Sequence, residues 1–236
     1  MPRLCLCINQ VAQLRLLNRK KEPDPVNVAI AAEIAGIDGI VVQIGPNRTD
    51  ISDRDLNVLK EVVKSHFNLA LPLNGDMVKK AIQLLPDMVT LLPEVEEEGA
   101  SLDVEANLEY IEEVAATLRA SNIVVSALIA ADSQQVRAAA RAGLDYVQFN
   151  TFPFSLTEDL GTMTEQIERI RTVSLAAHKL GLGVSAGRGL SYQNTREMSG
   201  IDIIEEFNVG KAIISRSLLV GIDRAIIHFK SLLIGR

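Results

Sequence analysis

Short apolar runs alternate along the chain with longer stretches whose apolar positions recur every three or four residues. The runs fall at Leu4–Asn9, Gly39–Gln43, Asn68–Leu71, Met88–Leu92, Ile123–Ile129, Tyr146–Asn150, Gly183–Ala186 and Ala212–Ile214. Most are apolar throughout, as strands are when a parallel sheet is covered on both faces. The helical stretches lie near 25–36, 53–65, 76–85, 103–119, 133–142, 160–180, 192–206 and 217–232. Ser52-Asp53 and Asp132-Ser133 supply N-cap chemistry, and Pro25 after Asp24 suits a first helical turn. Strand and helix in regular alternation predict an α/β fold, a (β/α)8 TIM barrel, with residues 1–236 as a single domain. A doubly wound open sheet is the alternative.

Two polar stretches interrupt the pattern. Gln13–Pro25, basic and then Pro-containing, reads as a loop over the end of the first strand and a candidate lid. The acidic patch Glu94-Val95-Glu96-Glu97-Glu98 reads as a solvated loop.

Composition narrows the classes. Of 236 residues, 47% are hydrophobic, enough for one sizeable core. The net charge of −6, the 4% aromatic content and the absence of Trp argue against nucleic-acid binding. No run approaches the roughly 18 apolar residues that span a membrane. The N-terminus lacks a signal-peptide core, so the expected location is cytoplasmic. Cys5 and Cys7, two apart on a strand, read as buried thiols rather than a disulfide or a zinc site. His66, His178 and His228 fall away from the strand ends and read as surface or packing residues.

In such a barrel the chemistry sits at the C-terminal strand ends. Those positions are rich in amides: Asn9, Gln10, Gln43, Gln148 and Asn150. Amides donate and accept hydrogen bonds but do not move protons near neutral pH. The last two units combine Gly187-Arg188-Gly189, Gly210-Lys211 and Ser215-Arg216-Ser217, read as flanking strand eight. Glycines, cations and a helix start there are the parts of a phosphate site. The phosphate-binding candidates are Gly187, Gly189, Gly210, Ser215, Arg216 and Ser217. The substrate-binding candidates are Asn9, Gln43, Gln148, Asn150 and Arg188. Glu94 and Lys211 are the catalytic candidates. No cofactor and no metal are expected.

Several stretches carry a resemblance along essentially the whole chain: PDPVNVAIAAEIAGIDGIVV at 23–42, ISDRDLNVLK at 51–60, LLPE at 91–94, SLDV at 101–104, VSAGRGLSYQN at 184–194 and NVGKAIISRSLLVG at 208–221. With Asn9, they resemble the pyridoxine 5′-phosphate synthase family. The resemblance implies a TIM barrel that assembles into octamers. It also implies condensation of 1-deoxy-xylulose 5-phosphate with 3-amino-2-oxopropyl phosphate to close the pyridine ring of vitamin B6. The chain departs from the family pattern at Gln43, Gly45, Asp50, Ala70, Gln148, Asn150, Arg188 and Lys211. Most of these positions carry proton-transferring groups or histidines in the family.

The expectation from these residues is a divergent synthase-like barrel, a homo-oligomer. It binds a phosphorylated or anionic small molecule and performs altered chemistry or none. Lys211 would form a Schiff base with a carbonyl substrate, and Glu94 would handle protons. The alternatives are a genuine pyridoxine 5′-phosphate synthase with a rebuilt site, and a non-catalytic sensor or scaffold paralogue.

Overall fold

The computed structural model describes residues 1–19, 21–95, 97, 99–157 and 159–234. Strands β1 (Arg3–Cys7), β2 (Gly39–Gln43), β3 (His66–Pro72), β4 (Met88–Leu92), β5 (Val124–Ile129), β6 (Tyr146–Asn150), β7 (Gly183–Gly187) and β8 (Glu206–Val209) close into a ring in chain order. Every neighbouring pair is parallel, β8 with β1 included. The helices between them are α1 (Asn9–Asn18), α2 (Pro25–Ile34), α3 (Asp53–Val62), α4 (Gly75–Leu84), α5 (Leu108–Ala120), α6 (Ser133–Arg141), α7 (Phe152–Ser155), α8 (Leu160–Lys179), α9 (Thr195–Ser199), α10 (Lys211–Val220) and α11 (Ile222–Ile234). This is the (β/α)8 TIM barrel that the alternation predicts.

Successive strand residues face opposite ways, and the two directions differ in chemistry. Leu4, Leu6, Ile40, Val42, Leu69 and Leu71 face outward into one continuous core shared with the helices. Burying each such side chain contributes roughly 1.5–3 kcal/mol. Cys5, Val41, Ala70, Leu92 and Leu128 face inward as a small separate apolar cluster. The polar residues Asn68, Thr90, Ser126, Gln148, Ser185, Glu206 and Asn208 share that interior, all buried.

The structure corrects four sequence boundaries. The Ala212–Ile214 run is not strand eight; it lies in α10, which buries Ile213 and Ile214 against the core. The true β8, Glu206-Phe-Asn-Val, hides from a hydropathy reading because Glu206 and Asn208 are its inward residues. Gly210-Lys211 therefore follow the last strand, and Ser215-Arg216-Ser217 lie within a helix. The Gln13–Pro25 stretch is not a loop throughout: α1 runs to Asn18, begins at Asn9 and buries Val11 and Ala12. The stretch expected as one helix over 192–206 contains only α9, which ends at Ser199 before β8 begins. The last predicted helix is two, divided at Gly221, whose φ is +86°. Lys20, Glu96 and Glu98 of the two polar stretches lie outside the described residues. Glu94, Val95 and Glu97 are exposed, as a solvated loop requires.

An ion pair ties α1 to α3. The Asp55 carboxylate accepts from Arg15 Nη1 at 3.0 Å and Nη2 at 2.6 Å, and from the Ser52 backbone N–H at 2.9 Å. Ser52 Oγ accepts in return from the Asp55 N–H, completing a capping box. Burial raises the Asp55 pKa, but the Arg15 guanidinium and the Ser52 donors outweigh it and hold the carboxyl well below the usual carboxylate range. Because its folded pKa is depressed, the stability that Asp55 contributes is present above about pH 4 and fades as pH falls toward the folded value. Asp55→Ala is expected to cost about 2–4 kcal/mol at pH 7 in denaturant unfolding, with the difference from wild type shrinking at pH 3 and below.

Candidate functional site

The C-terminal ends of the strands surround a cavity of about 560 Å³. Inward residues of the strands form its floor: Cys7, Val41, Ala70, Thr90 and Leu92, with Gln148 and Asn208 beside them. Asn9, Gln10 and Gln13 enter from α1, and Gln43 and Arg48 from the end of β2 and the turn after it. Arg188 to Ser191 come from the loop after β7, and Lys211, Ala212 and Ser215 from α10.

Arg188 is set by backbone geometry. Its φ is +75°, a left-handed conformation that side-chain-bearing residues rarely adopt, and Gly189 follows at +68°. A Cβ on Gly189 would lie 2.3 Å from Ser155 Oγ, so only glycine fits there. Thr151 Oγ1 donates to the carbonyls of Gly187, at 3.1 Å, and Arg188, at 2.5 Å, and holds the turn. Non-glycine residues in this conformation cluster at functional sites, where surrounding contacts offset the strain. The guanidinium enters the mouth: burial pushes the Cys7 thiol up to about 12, and the Arg188 charge is what opposes the rise.

Helix α10 starts beside that turn, directly after β8, the strand that pairs with β7. Its N-cap is Gly210, so no side chain caps its first turn. A Cβ on Gly210 would come within 2.6 Å of Gln10 Oε1 and 3.0 Å of the Cys7 carbonyl, which explains the glycine. The first-turn N–H groups and the helix dipole favour an anion at this point. Lys211 and Ser215 flank it.

Seven of the sequence candidates thus line one cavity: Asn9, Gln43, Gln148, Arg188, Gly189, Lys211 and Ser215. Six do not. Glu94 is exposed after β4. Asn150 is buried and donates to the Ala100 carbonyl and Ser101 Oγ. Gly187 packs against Gln148 Nε2, and Gly210 against Gln10 and Cys7. Arg216 points outward over the Tyr192 ring, its Cζ 5.7 Å from the centroid. Ser217 donates to the Ile214 carbonyl of its own helix. Asn9, although it lines the cavity, joins β1 to β2: Nδ2 donates to the Gln43 carbonyl and Asp50 Oδ2, and Oδ1 accepts from the Gln43 N–H.

Asn208, Thr90, Gln13 and Ser191 line the mouth without having been singled out. Asn208 was hidden by the misplaced eighth strand, and Gln13 by the reading of α1 as a loop. Thr90 sits in an apolar run, where only the period-two alternation would show that it faces in.

Three cationic side chains, several amides and three hydroxyls line this mouth, with no carboxylate and no imidazole among the described residues. Two carboxylates bond lining residues from outside the cavity: Asp50 is engaged by Asn9 and by Arg48 at 2.9 Å, and Glu206 by Asn208 at 3.0 Å. No metal-holding group of His, Cys, Asp or Glu occurs among the described residues. No helix among them is long and apolar enough to cross a membrane.

Fold and site together define a TIM barrel with an amide-lined, cationic mouth. The model of the family "Pyridoxal phosphate biosynthesis protein PdxJ" matches residues 4–235, and the chain belongs to that family. It is 40% identical over 229 residues to the pyridoxine 5′-phosphate synthase of Geotalea uraniireducens, covering 96% of each chain. It is 39% identical over 239 residues to that of Acaryochloris marina, covering 100% of each. Among solved structures, "Native KDPGal structure" matches with a TM-score of 0.64 at 12% identity, over 99% of this chain and 96% of the other. Phosphoribosylanthranilate isomerase from Thermotoga maritima matches at 0.58 and 15%, over 100% of both. These two show the fold alone.

The Cys7 thiol gives a direct reading of the mouth. With its pKa pushed up by burial, its alkylation by iodoacetamide at pH 7.5 is expected to be at least about tenfold slower than that of free cysteine. Arg188→Ala removes the opposing charge and slows it further.

Proposed function

We propose that the barrel mouth binds a phosphorylated or otherwise anionic small molecule and that its reaction is that of the pyridoxine 5′-phosphate synthases. The observation carrying the binding claim is the meeting of Arg188, Lys211 and the uncapped start of α10 in one cavity. A guanidinium binds phosphate through paired N–H donors, and the helix start adds backbone donors. The reaction claim rests on kinship, 39–40% identity along whole proteins of that name. Both substrates implied by the resemblance, 1-deoxy-xylulose 5-phosphate and 3-amino-2-oxopropyl phosphate, carry a phosphate and a ketone. Gln43, Gln148 and Ser215 are suited to the ketone and hydroxyl oxygens, and Gly189 leaves room for the phosphate.

A second reading, anion binding with altered chemistry or none, is favoured by one observation. No carboxylate or imidazole lines the cavity among the described residues, and ring closure with several proton transfers draws on groups that titrate near neutral pH. Under this reading Lys211 condenses with a ketone, forming an imine and releasing water, or the chain serves as a sensor or scaffold. Glu94, exposed and outside the cavity, gains no support as the proton-handling group.

We read residues 1–236 as one cytoplasmic domain that self-associates. Leu16 and Leu17 on α1 and Leu218 and Leu219 on α10 are exposed, and the two helices pack together. Such an apolar face supports a homo-oligomer, with the family's octamer as its expected form.

Expression in a vitamin B6 auxotroph separates the two readings. Growth, with turnover of the two ketone phosphates by purified protein, is the outcome for a synthase. Tight phosphate binding without growth or turnover is the outcome for the second reading, where borohydride trapping at Lys211 reveals an imine. Under either, Arg188→Met is expected to weaken binding of inorganic phosphate about tenfold or more by calorimetry. The double change Leu218→Glu, Leu219→Glu is expected to shift the light-scattering mass toward the monomer.

A further inference from the structure

A chain of hydrogen bonds runs down the barrel axis from the mouth to the opposite end. Asn208 Nδ2 donates one hydrogen to Gln148 Oε1 and the other to Glu206 Oε1, both at 3.0 Å. Glu206 has no exposed surface, and its Oε2 lies 3.1 Å from Arg3 Nη2 and 3.9 Å from His66 Nε2. Paired with a guanidinium, the Glu206 carboxylate only accepts. Its acceptor oxygen therefore requires the NH₂ end of Asn208 to face it. The second hydrogen of that NH₂ then requires an acceptor, so the Gln148 atom meeting Asn208 is its oxygen.

The consequence appears at the mouth. With its oxygen committed downward, Gln148 presents Nε2 on its other side, where no protein acceptor meets it among the described residues. That nitrogen lies 2.4 Å from where a Cβ on Gly187 would stand, so the glycine is what leaves it room. Reversing the Gln148 amide would set its NH₂ group against that of Asn208, or, with Asn208 reversed as well, Asn208 Oδ1 against the Glu206 carboxylate. Either costs a buried hydrogen bond.

We propose that Glu206 is a positioning residue: through Asn208 it fixes the Gln148 amide so that the mouth presents an N–H donor, which selects anions bearing an acceptor oxygen at that point over anions bearing an ammonium or amine. The proposal rests on the reading of the mouth as an anion site and adds the sign of its polar contact.

Two phosphates of similar size test it, 2-phosphoglycolate with a carboxylate and O-phosphoethanolamine with an ammonium, with inorganic phosphate as the reference. Wild type is expected to favour 2-phosphoglycolate in calorimetry. Glu206→Gln releases the Asn208 amide, and the preference is expected to fall about 3- to 10-fold, the worth of one hydrogen bond. A charge effect alone acts the other way, since removing a buried negative charge favours the more anionic ligand. Asn208→Leu keeps the Arg3–Glu206 pair and is expected to lower the preference similarly, which covers the case of a misfolded Glu206→Gln. With Gln148→Met, which has no donor, Glu206→Gln is expected to leave no such fall. An unchanged or raised preference in folded Glu206→Gln and Asn208→Leu overturns the proposal while leaving the anion site intact. Failure of wild type to bind inorganic phosphate overturns the anion site itself, and this inference with it.

Discussion

Closing eight parallel strands into one ring forces every second side chain of every strand into a single narrow axis. In this chain that axis is half apolar and half polar, with Cys5, Val41, Ala70, Leu92 and Leu128 beside Asn68, Thr90, Gln148, Glu206 and Asn208. The outward residues carry the burden of stability, packing as a continuous core against the helices. The inward residues are therefore free to carry polar chemistry, and those toward the C-terminal strand ends line the site. Even the features away from the axis serve closure: Asn9 clasps the tops of β1 and β2, and the Arg15–Asp55 pair seats α1 against α3 over them.

The ring was legible in the sequence because its outward faces are almost wholly apolar. Strands β2, β4 and β6 fall where the hydropathy pattern puts them, since both neighbours of the central inward residue of each, Val41, Thr90 or Gln148, are Ile, Val, Leu or Phe. Strand β8 was not legible for the opposite reason. It spans only Glu206–Val209, and two of its residues are polar and point inward, while the adjacent apolar run belongs to a helix face. The same physics divided the site candidates. Arg188 follows a short strand that ends in a glycine turn, so its place at the mouth could be read from spacing; Lys211 could not, because the Ala212–Ile214 run put it before the eighth strand instead of after it. Arg216 and Ser217 could not be placed by spacing, because a helix turns successive residues about 100° apart and carried both away from the opening.

Kinship and chemistry pull in different directions here, and the geometry gives each its scope. Identity near 40% along the full chain carries the family and the fold, while the turn after β7 and the uncapped start of α10 supply the cations and backbone donors on which the proposed anion site rests. The groups facing the reacting end of a ligand are another matter. Among the described residues, the polar groups facing the mouth are amides, hydroxyls, cations and the Cys7 thiol, which orient and neutralise a ligand without exchanging protons with it at neutral pH.

The central claim is that a mouth built from cations and amides holds its anion without help from a group titrating between acid and neutral pH. Sulfate tests this most directly, because it keeps one charge state across that range and leaves only the protein to titrate. Its dissociation constant, measured by calorimetry from pH 5.5 to 8.5, is predicted to change by no more than about twofold. A change of tenfold or more, rising or bell-shaped, would place a titrating carboxylate or imidazole in the site and contradict the account.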